Sequence, residues 1–153
     1  MTIWFNWRLS REAMVGDVAL LNPAVTRYEP AWGMANEVLR ETGDYLRGEG
    51  VPWIAFSVPR DLQVSPAEWN ETYRRAAANA TIDPDLPMRR LGSMVTAAGG
   101  EWVDLLPGFR ARYAPHLYFG LDPHWTSHGH ALAAELLLPA VGARLDHHMV
   151  ATR

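Results

Sequence analysis

Apolar runs that stop at a proline, separated by stretches with helical spacing, constrain this chain more than any other feature. Val51-Pro52-Trp53-Ile54-Ala55-Phe56-Ser57-Val58 carries no charge and ends at Pro59. A shorter run, Glu101-Trp102-Val103-Asp104-Leu105, stops before Pro107, and Ile3 to Phe5 reads as a third. A continuous apolar run bounded by turn residues is the pattern of a strand buried on both faces, which is the usual state of a parallel strand.

The stretches between them repeat on a helical period. Trp32 to Arg47 places Met34, Val38, Tyr45 and Leu46, with Leu39 beside them, on one stripe, and Gly48 and Gly50 close it. Ser65-Pro66-Ala67-Glu68 has the form of a capping box and opens a helix expected to run to about Ala78. Leu86 to Ala98 is a third helical stretch, ended by Gly99-Gly100. Thr126 caps a last one, from Ser127 to about Val141, with Leu132, Leu136, Leu137 and Ala140 on one face. Residues 8 to 31 read as irregular, with Asn22-Pro23 and Glu29-Pro30 as turn signals, and 108 to 121 read as a loop.

Strands alternating with helices indicate an α/β fold, a three-layer parallel sheet with helices on both faces. Only three strands are visible where about five are usual. The expectation is therefore a single partial domain over residues 1–145, incomplete at its N-terminus, followed by a frayed tail at 146–153.

Composition narrows the functional classes. The 153 residues are 48% apolar and 20% charged, as in a globular domain with a core. The net charge of −3 offers no basic field for a nucleic-acid backbone or an anionic membrane. No Cys is present, so disulfides, thiolate metal sites and a Cys nucleophile are excluded. All fourteen basic residues are Arg, which excludes Lys Schiff-base chemistry. The apolar stretch Ala131 to Val141 is too short to span a bilayer. The N-terminal residues have no export-signal pattern, and the compartment is left open.

The densest polar cluster is Asp122-Pro123-His124-Trp125-Thr126-Ser127-His128-Gly129-His130, directly before the last helix. Ligands of open α/β sheets bind on loops that lead from strand ends into helices. Asp122 and His124 are two apart, and a bend at Pro123 would bring the carboxylate to the imidazole. That pairing fixes the tautomer of the ring and stabilises its protonated form. The plain alternative is that Asp122 caps the turn and His124 packs under Trp125. A metal site is disfavoured: His124 and His128 lack the Glu of a His-Glu-x-x-His pair, and His128 and His130 point to different faces of the helix. No metal or organic cofactor is expected.

The segment from Tyr118 to Leu136, with Asp122-Pro123-His124-Trp125 at its centre and Gly129 following, resembles the last conserved block of the SGNH hydrolases (the GDSL esterase/lipase superfamily). It resembles most the alginate O-acetyltransferase-like branch. Val51 to Pro59 and Glu101 to Pro107 are similar to two other strand blocks of that family, so the likeness spans roughly residues 32 to 141. The resemblance implies an SGNH or flavodoxin-like fold, with His124 as general base and Asp122 as its orienting carboxylate. It also implies an acylated substrate, small or carbohydrate, attacked by a Ser of a Gly-Asp-Ser block.

That block is missing from this chain. Gly16-Asp17-Val18 and Gly43-Asp44-Tyr45 both lack the Ser. The simplest account is that the nucleophile lies upstream of Met1. Asn6, after Ile3 to Phe5, stands where the family carries its oxyanion Asn, and is otherwise a strand-end Asn. Ser57 is the nucleophile candidate inside the chain, or else a strand-end hydroxyl bonded to backbone. Trp125 and His116 are the candidate substrate contacts. The alternative function is a non-catalytic SGNH-like remnant that binds carbohydrate or a protein partner through the aromatic residues of 113–125.

Overall fold

The computed structural model describes residues 19–65, 74, 78, 80–119 and 122–151, with positions 122, 123 and 146–151 described by their backbone. Along the chain run α1 (Glu29–Gly48), β1 (Ile54–Phe56), a one-turn α2 (Asp61–Val64), α3 (Leu86–Ala97) and β2 (Glu101–Val103). They are followed by α4 (Leu106–Ala111), a 3-10 turn (Pro115–Leu117), β3 (Tyr118–Phe119), β4 (Asp122–Trp125) and α5 (Ser127–Ala151). The architecture is mixed helix and sheet, as expected at the level of class. The run Ile3 to Phe5 and nearly all of the helix expected from Ser65 to Ala78 fall outside the described residues.

β1 and β2 pair in parallel, with Ile54 opposite Glu101, Ala55 opposite Trp102 and Phe56 opposite Val103. The helix between them, α3, matches its expected bounds within a residue. Gly99 takes a left-handed φ of 83° just past its end, a conformation that costs other residues more than glycine. The expectation that Val51 to Val58 forms one strand buried on both faces does not hold. Only three residues pair, and Val51, Phe56 and Val58 are each close to half exposed. β2 sets that length: the Asp104 carboxylate accepts the Leu106 N–H at 2.9 Å and turns the chain into α4.

Prolines act here as helix starters, among them Pro30, read as a turn signal, and Pro107, read as a strand stop. Pro30, Pro87 and Pro107 each occupy the first turn of a helix, where no backbone N–H is needed. Thus α1 begins at Glu29 rather than Trp32, and α4 forms inside the stretch expected to be loop. Pro139 lies within α5, which continues past the expected end near Val141. An ion pair from Arg144 to Glu101 at 2.7 Å ties this later part of α5 back to β2.

α1 does not bury the stripe that its sequence suggested. Met34, Val38 and Tyr45 are 68%, 56% and 67% exposed. The inward side carries Trp32, Ala35, Leu39, Gly43 and Leu46. Gly43 decides the matter: a Cβ there would overlap the Ala98 carbonyl, so only this face lets α1 close on the end of α3. Near the other end of the pair, Glu29 and Arg90 form an ion pair at 2.7 Å. α1 and α3 therefore run side by side in the same direction.

The core lies in the C-terminal half. Leu105, Leu106, Phe109, Leu117, Tyr118, Trp125, Leu132 and Ala133 pack together, with Val64 and Met88 added from earlier in the chain. Phe109 is fully buried and stacks on Trp125 at a ring separation of 4.9 Å. The expected face of α5 is the one that packs: Leu132 is buried, and Leu136 and Leu137 lie against the core. Gly108 leaves room for the Leu136 methyls.

Candidate functional site

The polar cluster singled out in the sequence sits on a hairpin and the helix it feeds. β3 and β4 pair antiparallel, with Tyr118 opposite Trp125 and Phe119 opposite Asp122, across an irregularity in register. The Asp122 to Trp125 segment is strand, with positions 123 and 124 standing between its two paired positions. Neighbouring residues of a strand face opposite ways, so the pairs set position 122, with Phe119, on the face opposite to 125, with Tyr118. Burial agrees with that alternation: His124 is exposed, and Trp125 is only 8% exposed.

Thr126 joins the hairpin to α5. Its hydroxyl accepts the Gly129 N–H at 3.4 Å, a long but recognisable N-cap bond, and donates to the His116 carbonyl at 2.5 Å. The helix start is held to the 3-10 turn a second time, by the Thr126 N–H bonded to the Leu117 carbonyl. Gly129 makes the approach possible, since a Cβ there would stand 2.5 Å from the Leu117 carbonyl oxygen and 2.9 Å from the Trp125 Cβ. The Gly that the family resemblance picked out is therefore required here by packing.

A buried tyrosine fastens this hairpin to the end of β1. The Tyr118 hydroxyl donates to the Pro59 carbonyl at 2.9 Å. Burial pushes the Tyr118 phenol well above its ordinary pKa. Ser57, half-buried, lies two residues before Pro59 and one after β1. The carboxyl end of β1 and the start of the hairpin are thereby locked together by a bond the sequence did not announce. Tyr118 was legible only as an aromatic residue in a loop.

The remaining residues are placed as follows. Trp125, expected to contact substrate, has one ring face against Phe109 and its edge region beside His130, at 5.5 Å between centroids. It is a core residue, and its indole N–H is buried without a hydrogen-bond partner among the described residues. His116 is exposed and meets His128 edge to face at 4.7 Å. No three His, Asp or Glu side chains converge in a way that could hold a metal ion, among the described residues. Asn6 and the carboxylate of Asp122 lie outside the described residues. No described helix is long and apolar enough to cross a membrane.

No family model, curated protein or solved structure matches this chain.

Proposed function

We propose that this chain is part of an SGNH-type esterase or O-acyltransferase that works by a Ser-His-Asp mechanism on an acylated substrate, small or carbohydrate. His124 takes the proton of a serine hydroxyl as the serine attacks the acyl carbonyl, and returns it to the leaving oxygen. Asp122 orients the imidazole and stabilises its charged form. Backbone N–H groups and Asn6 stabilise the oxyanion of the tetrahedral intermediate. The nucleophile belongs to a Gly-Asp-Ser block outside these 153 residues. Ser57 is the internal candidate.

The observation that carries this reading is the alternation on β4. An exposed His124 stands directly before Trp125, which pairs with Tyr118 and anchors the strand in the core. A base on a strand so anchored, directly before a capped helix, has the rigidity that proton transfer needs. The finer fold reading, a three-layer sheet, draws support from side chains of β2. Trp102 packs against Gly92 of α3, while Glu101, on the other face by alternation, binds Arg144 of α5.

The test is hydrolysis of p-nitrophenyl acetate by the chain joined to the segment that precedes residue 1. His124→Ala should abolish it, and Asp122→Asn should lower turnover steeply with the circular dichroism unchanged. Full activity in His124→Ala would end the proposal. Activity of residues 1–153 alone that Ser57→Ala removes would move the nucleophile into this chain.

A further inference from the structure

His116 and His128 are twelve residues apart in the chain and meet in the fold. His116 stands in the 3-10 turn before the hairpin, and His128 in the first turn of α5. Both are exposed, and their rings meet edge to face with centres 4.7 Å apart and planes at 72°. Two exposed imidazoles gain little from burial, so apolar packing does not account for the meeting.

The backbone beneath the two rings is fastened. The Thr126 hydroxyl donates to the carbonyl of His116 itself, and the Thr126 N–H donates to the Leu117 carbonyl. The same hydroxyl accepts the N–H of Gly129, the residue after His128. Both side chains therefore spring from backbone held at a set separation, on a turn and a helix rather than on a free loop. Ligands held ready in this way cost less entropy to engage.

We propose that His116 and His128 form a two-histidine site for a divalent transition ion that prefers imidazole nitrogen, of the zinc, nickel and copper kind. The ring spacing points to an ion. A ligating imidazole nitrogen lies about 2.0–2.1 Å from zinc, which puts the ring centre about 3.2 Å from it. Two such rings have centres about 4.5 Å apart where the bonds meet at a right angle, and about 5.2 Å apart at the tetrahedral angle. The observed 4.7 Å falls between these. Rotation about χ2, a broad torsion in His, aims one nitrogen of each ring at the ion. His130 is not part of the site, because its ring lies against Trp125. Two protein ligands leave the other positions of the ion open to exchange, so it binds reversibly. Its effect is to staple the 3-10 turn to the start of α5. It therefore favours the folded chain over the unfolded one, in which the two histidines are not held together. Neither His124 nor Asp122 takes part, so the site stands whether or not the catalytic reading does.

The test uses the untagged 153-residue chain at about pH 8, where an ordinary imidazole is neutral. Nickel followed by titration calorimetry should bind and should raise the thermal unfolding temperature, whereas magnesium, which prefers oxygen, should do neither. His116→Gln and His128→Gln should each weaken nickel binding at least about tenfold, since losing a group merely behind a ligand already costs about 10–100-fold. His147→Gln, further along α5, should leave it unchanged. A second readout needs no variant: a small amount of copper(II) should broaden the ring signals of His116 and His128 in NMR spectra more than those of the other four histidines. No nickel binding by the parent chain, binding as tight in either of the first two variants, loss in His147→Gln, or broadening strongest at other histidines would each overturn the proposal.

Discussion

The half of the molecule built from α4, the hairpin and α5 closes on itself, whereas α1 and β1 present apolar surface outward. In the first, Phe109 is fully buried and Leu105 and Leu106 are nearly so. In the second, glycine is the one buried residue of α1, and Met34, Val38 and Tyr45 stand more than half exposed. The contrast shows that apolar content does not by itself make a core. Both regions carry it. What differs is that the C-terminal half turns back sharply, at Asp104, at Pro115 and at Thr126, so that strand and helix faces converge. α1 instead meets α3 through Gly43 against Ala98 and Glu29 against Arg90.

Truncation should expose the difference most clearly. Phe109→Ala removes a ring that stacks on Trp125 and tilts against Tyr118. Such changes cost about 3–5 kcal/mol. Met34→Ala on the exposed stripe should fall within about 0.5 kcal/mol of the parent protein. Urea unfolding midpoints check both. A Met34→Ala cost approaching that of Phe109→Ala would mean that the α1 stripe is covered in solution, and the contrast between the halves would disappear.

A pair of glycine substitutions sharpens the same comparison with a smaller effect. Gly129→Ala inserts a methyl between the Leu117 carbonyl and Trp125, at separations no Cβ tolerates. Overpacking of this kind costs about 1–3 kcal/mol, and the start of α5 must shift. Gly33→Ala, in the first half of α1, meets nothing within 4 Å. It should stabilise the protein by up to about 1 kcal/mol through helix propensity. Thermal unfolding of the two variants should move in opposite directions.

The start of the last helix was legible because local chemistry decides it, whereas the hairpin before it read as loop. Thr126 followed by Gly129 and an apolar stripe at Leu132 and Leu136 specifies a capped helix whatever surrounds it. α3 was legible for the same reason, through Gly99 and Gly100. The role of Pro30 and Pro107 was not, because a proline stops one element and starts the next equally well, and only the neighbouring donors show which. Nor was the buried face of α1, because Met34 and Val38 are more apolar than Gly43. Close approach to Ala98 outweighs apolarity there, and that is a tertiary fact. Trp125 illustrates the limit at the candidate site itself. Aromatic character in a polar loop suggested a ligand contact, but period-two alternation on β4 turns it inward and leaves His124 outward.

The lock between the two halves gives the smallest and most specific effect. Tyr118→Phe keeps the ring packed beside Phe109 and deletes the bond to the Pro59 carbonyl. Pro59 is fully buried, so its acceptor is left without that donor. The loss should be about 1 kcal/mol at neutral pH. The pH dependence separates this from a packing defect. Burial raises the Tyr118 pKa above its ordinary value of about 10. The unfolded chain therefore ionises first. The stabilising contribution of the neutral, bonded phenol is fully present below about pH 10 and is lost as pH climbs from there through the raised folded pKa. The Phe variant has no such term at this position. The stability gap between parent and Tyr118→Phe should therefore be constant from pH 6 to 9 and narrow above about pH 10. A gap that stays constant to pH 11 would show that the phenol is open to water, and that the carboxyl end of β1 is not held to the hairpin by this bond.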